Sequence, residues 1–545
     1  MSDTTLQKSE PDAPPAAPPL PVAQAPRAAF ADSEGASRWA KTLPLLPVGQ
    51  AHEALMGQLA LLAAAPIPAR ERAKIAEILR DQVGHLHTEL ARRYAGKSQP
   101  EGEREREAID QAVSIWHALW EQYSACLKPL LEGDAELAGV KAKILQRGLF
   151  VGKQLVLVHG LARRTTPPET WRELHAYYRL AEMLECAVTA VSDDLIPQGL
   201  GTSCYSTYSH ALLLGLADPC AMTVRQIELA DRWLGQWARK LFPYAREREA
   251  EGPVAIVDLD SRTGASVVPA APKEARAALR FGYPGKLSTS VRGRLKRLHG
   301  GATPSELQLG QDVSIEQCVA LLSHLDARWC HLARAPGEGE DTTLDLASGG
   351  LLAAFFRVGG RTFERREPIV GRSFQGAQHL KTLGALTDYD RFREEAERNW
   401  PWEPWQGRYE ARDATLRHSE DSHYRWALDQ LVVVRDSERL RAGFASRVAR
   451  DADGEVALAL KLWQGAPRAL TLRPQTGAYS EEPPVAALLL GETPDDAPSL
   501  IVPARAFSPG RQLRAVDGRV ERRFRFVKLL QRGADFERVA FDEAR

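Results

Sequence analysis

The side chains best equipped for chemistry in this chain are arginines. A guanidinium group pairs with phosphates in a bidentate way and stacks on flat bases. Arg365, Arg366 and Arg372 share one charged stretch, and Arg408 and Arg412 follow it. A second concentration crowds the C-terminal strands: Arg505, Arg511, Arg514, Arg519, Arg522, Arg523, Arg525, Lys528 and Arg532. Charge is therefore locally asymmetric in these stretches.

Patterns that would support catalysis are incomplete. Leu155-Val156-Leu157-Val158-His159-Gly160 has the form of a hydrolase oxyanion element, but that chemistry needs a nucleophile elbow, and G-x-S-x-G occurs nowhere. The segment reads instead as a buried helix or strand end. Gly282 to Ser288 lacks the Gly and Ser/Thr positions of a phosphate loop and reads as a turn. His85 and His87 are two apart on a helix and diverge, while His418 and His423 lie in a polar loop without a metal-ligand spacing. The expectation is no catalytic residue, no metal and no cofactor.

Positioning these groups falls to two kinds of element. Up to about residue 360 the apolar residues recur at helical spacing, as in Ile75, Leu79, Val83, Leu86 and Leu90, or Ile109, Val113, Trp116, Trp120, Tyr123 and Leu127. Thr166-Pro167-Pro168-Glu169 puts Pro at a first helical position with Glu at the capping-box position, and Thr223 to Gln226 starts another helix. Val254 to Leu259 interrupts with a strand-like run. Beyond residue 400 the pattern alternates: Val456, Leu458, Leu460 and Leu462 fall on one face, with further strands at 431–434, 485–490, 500–502 and 522–530. These short strands predict a small antiparallel barrel or sandwich. Asp345 or Ser348 reads as the cap of a helix over 351–357, and Trp400, Trp402 and Trp405 as a seal between domains.

Composition narrows the function classes. Lys+Arg and Asp+Glu both total 71 in 545 residues, so no net field draws the chain to nucleic acid or membrane. Six scattered cysteines without a C-x-x-C pair read as reduced, buried thiols. No signal peptide and no run of ~18 apolar residues is visible, which predicts a cytoplasmic protein without membrane insertion. Pro and Ala alternate to about residue 36, the composition of a tether.

Several stretches together resemble a proteobacterial family of cyclic-di-GMP receptors with atypical PilZ domains, linked to surface attachment by type IV pili. They are Tyr208 to Pro219, Gly301 to Gly310 with the Cys318–Trp329 helix after it, Asp429 to Arg435, the Asp453-Gly454-Glu455 turn, and Leu500 to Pro503 followed by Phe507 and Gly510. The resemblance spans roughly residues 40 to 545. It implies cyclic-di-GMP as ligand, held by Arg365, Arg366 and Arg372 of the connector with Arg408 and Arg412 of the following strand. The chain departs from the family's motifs. Those connector arginines are not spaced R-x-x-x-R, the D/N-x-S-x-x-G strand motif is missing after Trp405, and in Asp345-Leu346-Ala347-Ser348-Gly349-Gly350 the serine is one place late.

The sequence therefore predicts an α+β chain: a Pro/Ala-rich tail over 1–36, a helical domain over 37–360, an Arg-rich connector over 361–400 and a PilZ-like β-barrel over 401–545. The expected function is a non-enzymatic cyclic-di-GMP receptor with a protein partner in the pilus or polar machinery. The alternative is a helical interaction scaffold whose barrel no longer binds nucleotide.

Overall fold

The computed structural model describes residues 28–544 apart from 194–200, 242, 247–251, 273–275, 333–340, 364–387, 411, 420, 438, 475–482 and 518–519. Its first part is helical: α1 (Ser33–Ala40), α2 (Val48–Ala64), α3 (Ala69–Tyr94), α4 (Glu103–Ser124), the short α5 (Leu127–Leu131) and α6 (Ala135–Ala138), α7 (Lys141–Leu161), α8 (Pro168–Met183), α9 (Cys204–Leu216) and α10 (Val224–Trp237). The apolar stripes read from the sequence meet in one core in which Trp116, Trp120 and Trp233 are fully buried. Thr223 and Gln226 form the expected capping box. Before α8 the expected box is absent, because Pro167 occupies the cap and offers no side-chain acceptor, while Pro168 sits at the first helical position.

A three-stranded antiparallel sheet of β1 (Val254–Asp258), β2 (Ser266–Val268) and β3 (Leu279–Gly282), in the order β2-β1-β3, follows, then α11 (Gly285–His299) and α12 (Ile315–Cys330). This sheet is tied to α8 by Arg280, which forks onto Glu182 at 2.6–3.1 Å. The six cysteines are free and buried, as expected.

The β part is two closed six-stranded antiparallel barrels where the sequence predicted one. The first takes β4 (Asp341–Ala347), β5 (Glu403–Glu410), β6 (Asp413–His418), β7 (Leu431–Asp436), β8 (Arg439–Arg450) and β9 (Val456–Leu462) in the order β4-β5-β6-β9-β8-β7. The second takes β10 (Pro467–Pro474), β11 (Val485–Leu490), β12 (Ser499–Pro503), β13 (Gln512–Asp517), β14 (Val520–Arg532) and β15 (Phe536–Ala544) in the order β10-β11-β12-β15-β14-β13. Counted from its own first strand, each closes as 1-2-3-6-5-4. The first barrel begins inside the stretch read as helical: β4 pairs with both β5 and β7, which completes six strands by Leu462 and leaves the rest to close a second barrel.

Helix α13 (Gly350–Gly359) lies between the barrels. Its Leu351, Ala354 and Phe355 pack with Leu431 and Val433 of the first and Ala486, Leu488 and Leu490 of the second. The capping role read for Asp345 and Ser348 is not found. Asp345 is a strand residue paired with Arg435 at 2.7 Å, the Ser348 hydroxyl donates to the Leu431 carbonyl at 3.0 Å, and Gly349 caps α13. A Cβ on Gly349 would meet the Trp400 ring at 2.6 Å, which explains glycine in this turn.

Of the tryptophans read as a seal, Trp402 lies at the junction and Trp405 inside one barrel. Trp405 is fully buried in the first barrel, and Trp402 packs between barrel cores beneath Arg357 and Arg435, at 5.2 and 4.7 Å. The first barrel also docks on the helical body. Gln99 and Trp426 exchange backbone hydrogen bonds, Asp218 holds Arg328 of α12 and Arg447 of β8, and Glu101 lies between Arg164 and Arg450.

Candidate functional site

The outer face of β4, β5 and β6 forms an open cleft of about 760 Å³ lined by Thr343, Gln406, Gly407, Arg408, Thr415, Arg417 and His418, among others. Strand alternation places it. Trp405 and Leu416 point into the barrel, so Gln406, Arg408, Thr415 and Arg417 point out. Register then brings them together: Thr343, Gln406 and Arg417 share one cross-strand row, and Arg408 stands opposite Thr415 in the next. Two guanidinium groups on adjacent strands, an amide and two hydroxyls are therefore presented on one concave surface. That set suits phosphate oxygens together with the polar edge of a base. A neighbouring row, Pro404, Asp345 and Arg435, continues the same face.

Gly407 lets β5 and β6 approach closely beneath the cleft. Its φ is +154°, and a Cβ there would lie 2.1 Å from the Thr415 carbonyl oxygen. Gly407→Val should therefore force β5 and β6 apart and cost about 3 kcal/mol or more. A thermal melt in which this variant matched the wild type would show that the hairpin tolerates the side chain.

Arg408 lies in the cleft, but Arg412 does not. It occupies the turn after β5 and pairs with Asp495 of the second barrel at 3.1 Å, because the hairpin reverses there. Arg365, Arg366 and Arg372 lie outside the described residues. Arg417, Gln406 and Thr343 were missed by the sequence reading, although the alternation Ala414, Thr415, Leu416, Arg417 carried the signal for Arg417. Arg361 was also passed over. It stands four residues before Arg365, which supplies the Arg-x-x-x-Arg spacing, and its guanidinium lies over the Phe355 ring at 5.9 Å.

Sites of other kinds are poorly furnished. His159, in the His-Gly segment, is an interior residue of α7, and neither ring nitrogen has a hydrogen-bond partner. Among the described residues no group of three His, Cys, Asp or Glu could hold a metal ion, and no helix is long and apolar enough to cross a membrane.

Residues 34–243, from α1 to just past α10, match the family model of the N-terminal domain of the cyclic-di-GMP receptor FimW. Over these residues the chain is similar to that receptor domain. The FimW-type domain thus coincides with the main helical core, and both barrels lie beyond the matched residues. No curated protein and no solved structure matches the chain.

Proposed function

We propose that the chain is a non-enzymatic, cytoplasmic cyclic-di-GMP receptor whose ligand docks on the outer face of the first, PilZ-like barrel. The observation that carries this reading is the convergence of Arg408 and Arg417 on one concave face, in a chain whose helical body is similar to the N-terminal domain of a receptor. Arg408 and Arg417 meet the phosphates, Gln406, Thr343 and Thr415 meet polar ligand edges, and Asp345 at the rim accepts from guanine N–H groups. The family resemblance adds Arg365, Arg366 and Arg372 to the phosphate contacts, with Arg361 four residues before Arg365. Binding in this way shifts a conformational equilibrium and changes what the barrels present to a protein partner. Through the family resemblance, that partner belongs to the pilus or polar machinery and the output is surface attachment.

Calorimetry of the full chain with cyclic-di-GMP tests the reading. Each charge-assisted contact is worth roughly 1.5–3 kcal/mol, or about one to two decades of affinity. Arg408→Ala/Arg417→Ala should therefore weaken binding at least about 100-fold, and Arg365→Ala/Arg366→Ala/Arg372→Ala should weaken it by a similar amount. Unchanged affinity in the Arg408/Arg417 variant moves the site elsewhere. No heat from the wild type leaves the helical body as an interaction scaffold carrying structural barrels.

A further inference from the structure

The arginine-rich C-terminal strands take no part in the cleft on the first barrel, and their register is unusual. Arg514 of β13 stands directly opposite Arg473 of β10 on one side and Arg523 of β14 on the other. Three arginines thus share one cross-strand row, where directly opposed side chains begin ~4.5–5.5 Å apart and like charges repel. Elsewhere on β14 the fold supplies counter-charges: Arg522 pairs with Glu543 at 2.7 Å, and Arg525 pairs with Asp542. Arg523 has an exposed contact with Glu521 at 3.6 Å, a kind of pair that contributes little. Among the described residues no carboxylate pairs with Arg514 or Lys528.

The same strand carries a second anomaly. The pairing of β14 with β15 skips a residue twice, between Phe526 and Lys528 and again between Leu529 and Gln531. The skipped residues are Val527 and Leu530, and both are exposed, at 49% and 45%. A bulge re-aims the side chain of its extra residue. Here two bulges leave unpaired, exposed apolar residues on either side of Lys528.

We infer that this face of the second barrel is a peripheral membrane-contact surface that takes the phosphate headgroups of anionic lipids. The row Arg473, Arg514 and Arg523, with Lys528, meets the headgroups, while Val527 and Leu530 enter the interfacial layer. The apolar pair decides the source of the phosphate. A dissolved nucleotide or phosphate has nothing to place against Val527 and Leu530, whereas a lipid interface accommodates basic and apolar groups side by side. The inference does not rest on the receptor reading, because the cyclic-di-GMP cleft is on the other barrel.

Co-sedimentation of the full chain with vesicles tests it. The protein should bind vesicles of phosphatidylglycerol and phosphatidylcholine, and should not bind phosphatidylcholine alone. Each basic residue at an anionic surface is worth about fivefold in partitioning, so Arg514→Ala/Arg523→Ala should weaken binding about 25-fold. Val527→Ser/Leu530→Ser should weaken it roughly tenfold. Raising the salt to about 0.5 M, where the screening length falls to roughly 4 Å, should release the protein. All four side chains are exposed, so the variants should keep the wild-type circular dichroism and melting temperature. Failure to bind phosphatidylglycerol vesicles overturns the proposal, as does equal binding to phosphatidylcholine or an unchanged arginine variant. Unchanged binding of the Val527/Leu530 variant, with inorganic pyrophosphate displacing the vesicles, would reassign the row to a dissolved anion and also overturn it. Cyclic-di-GMP calorimetry on the same variants keeps this outcome separate from that of the receptor reading.

Discussion

Arg147→Ala should lower the stability of the helical body by about 3–5 kcal/mol, because it would leave two carboxylates to share one remaining buried cation. Arg147 projects from α7 and is 1% exposed. Its guanidinium forks onto Glu77 of α3, with both bonds at 2.7 Å, and reaches Asp193 at 3.0 Å. Arg80 completes the cluster, pairing with Asp193 at 2.7 Å and Glu77 at 3.2 Å. Burial pushes the Glu77 carboxyl up, but the Arg147 hydrogen bond and the charges of Arg147, Arg80 and Lys143 outweigh it and hold the group down to about 2. The network thus joins α3, α7 and the segment after α8 through charges that must stay balanced. Chemical denaturation followed by helical circular dichroism measures the loss. A companion variant, Arg147→Met/Glu77→Gln, removes one charge of each sign, leaves Arg80 paired with Asp193 and should recover most of it, since replacing a buried ion pair is commonly close to neutral. If Arg147→Ala cost less than about 1 kcal/mol, water would have to be reaching the carboxylates.

Lowering the pH from 7 to 4.5 should destabilise the same body by about 5 kcal/mol through two buried imidazoles. His87 is brought down to about 4 by burial, then by the Lys153 charge, against the opposing pull of Asp231. His159 is brought down to about 3 by burial, then by Arg164 and His117. Both are neutral in the folded protein, while the unfolded chain takes up their protons near pH 6.5. The unfolded state therefore binds more protons as the pH falls below about 6.5. The stability these groups contribute is intact above that value and is lost progressively as the pH drops toward about 4 for His87 and about 3 for His159. At pH 4.5 each accounts for about 2.5–3 kcal/mol. His159→Leu isolates one of them. Both ring nitrogens lack partners, so an apolar replacement leaves nothing unsatisfied and should cost little at pH 7. The variant should then lose about 3 kcal/mol less than the wild type between pH 7 and 4.5. An identical loss in the two proteins would place the acid sensitivity elsewhere.

Much of this architecture was legible in local pattern. The four-and-three stepping of Ile75, Leu79, Val83, Leu86 and Leu90 is the buried face of α3, and the alternation from Val456 to Leu462 is the inward face of β9. Thr223 and Gln226 marked a helix start because a capping box is closed by residues three apart. Periodicity and caps are local, so a linear reading recovers them. Where local signals conflict, the reading stopped short. Leu155 to Val158 is an apolar run that suits a buried helix or a strand equally, and only packing on all sides of α7 decided for helix.

What the tertiary structure alone decided is pairing between distant segments. Asp345 and Ser348 carry a helix-cap pattern, yet β4 is a strand because β5 and β7, from beyond the connector, take its backbone hydrogen bonds. That one strand turns an expected single barrel into two, since closure depends on a strand count that no window of sequence contains. The cleft follows the same logic. Alternation makes Arg408 and Arg417 outward residues, but register puts them on one face, Gly407 lets the two strands approach, and hairpin reversal sends Arg412 to the second barrel. The sequence by itself determined which residues turn inward and which outward. Which outward residues meet was set by strand closure, because side-chain direction follows a local period while proximity across strands depends on hydrogen bonds between segments far apart in the chain.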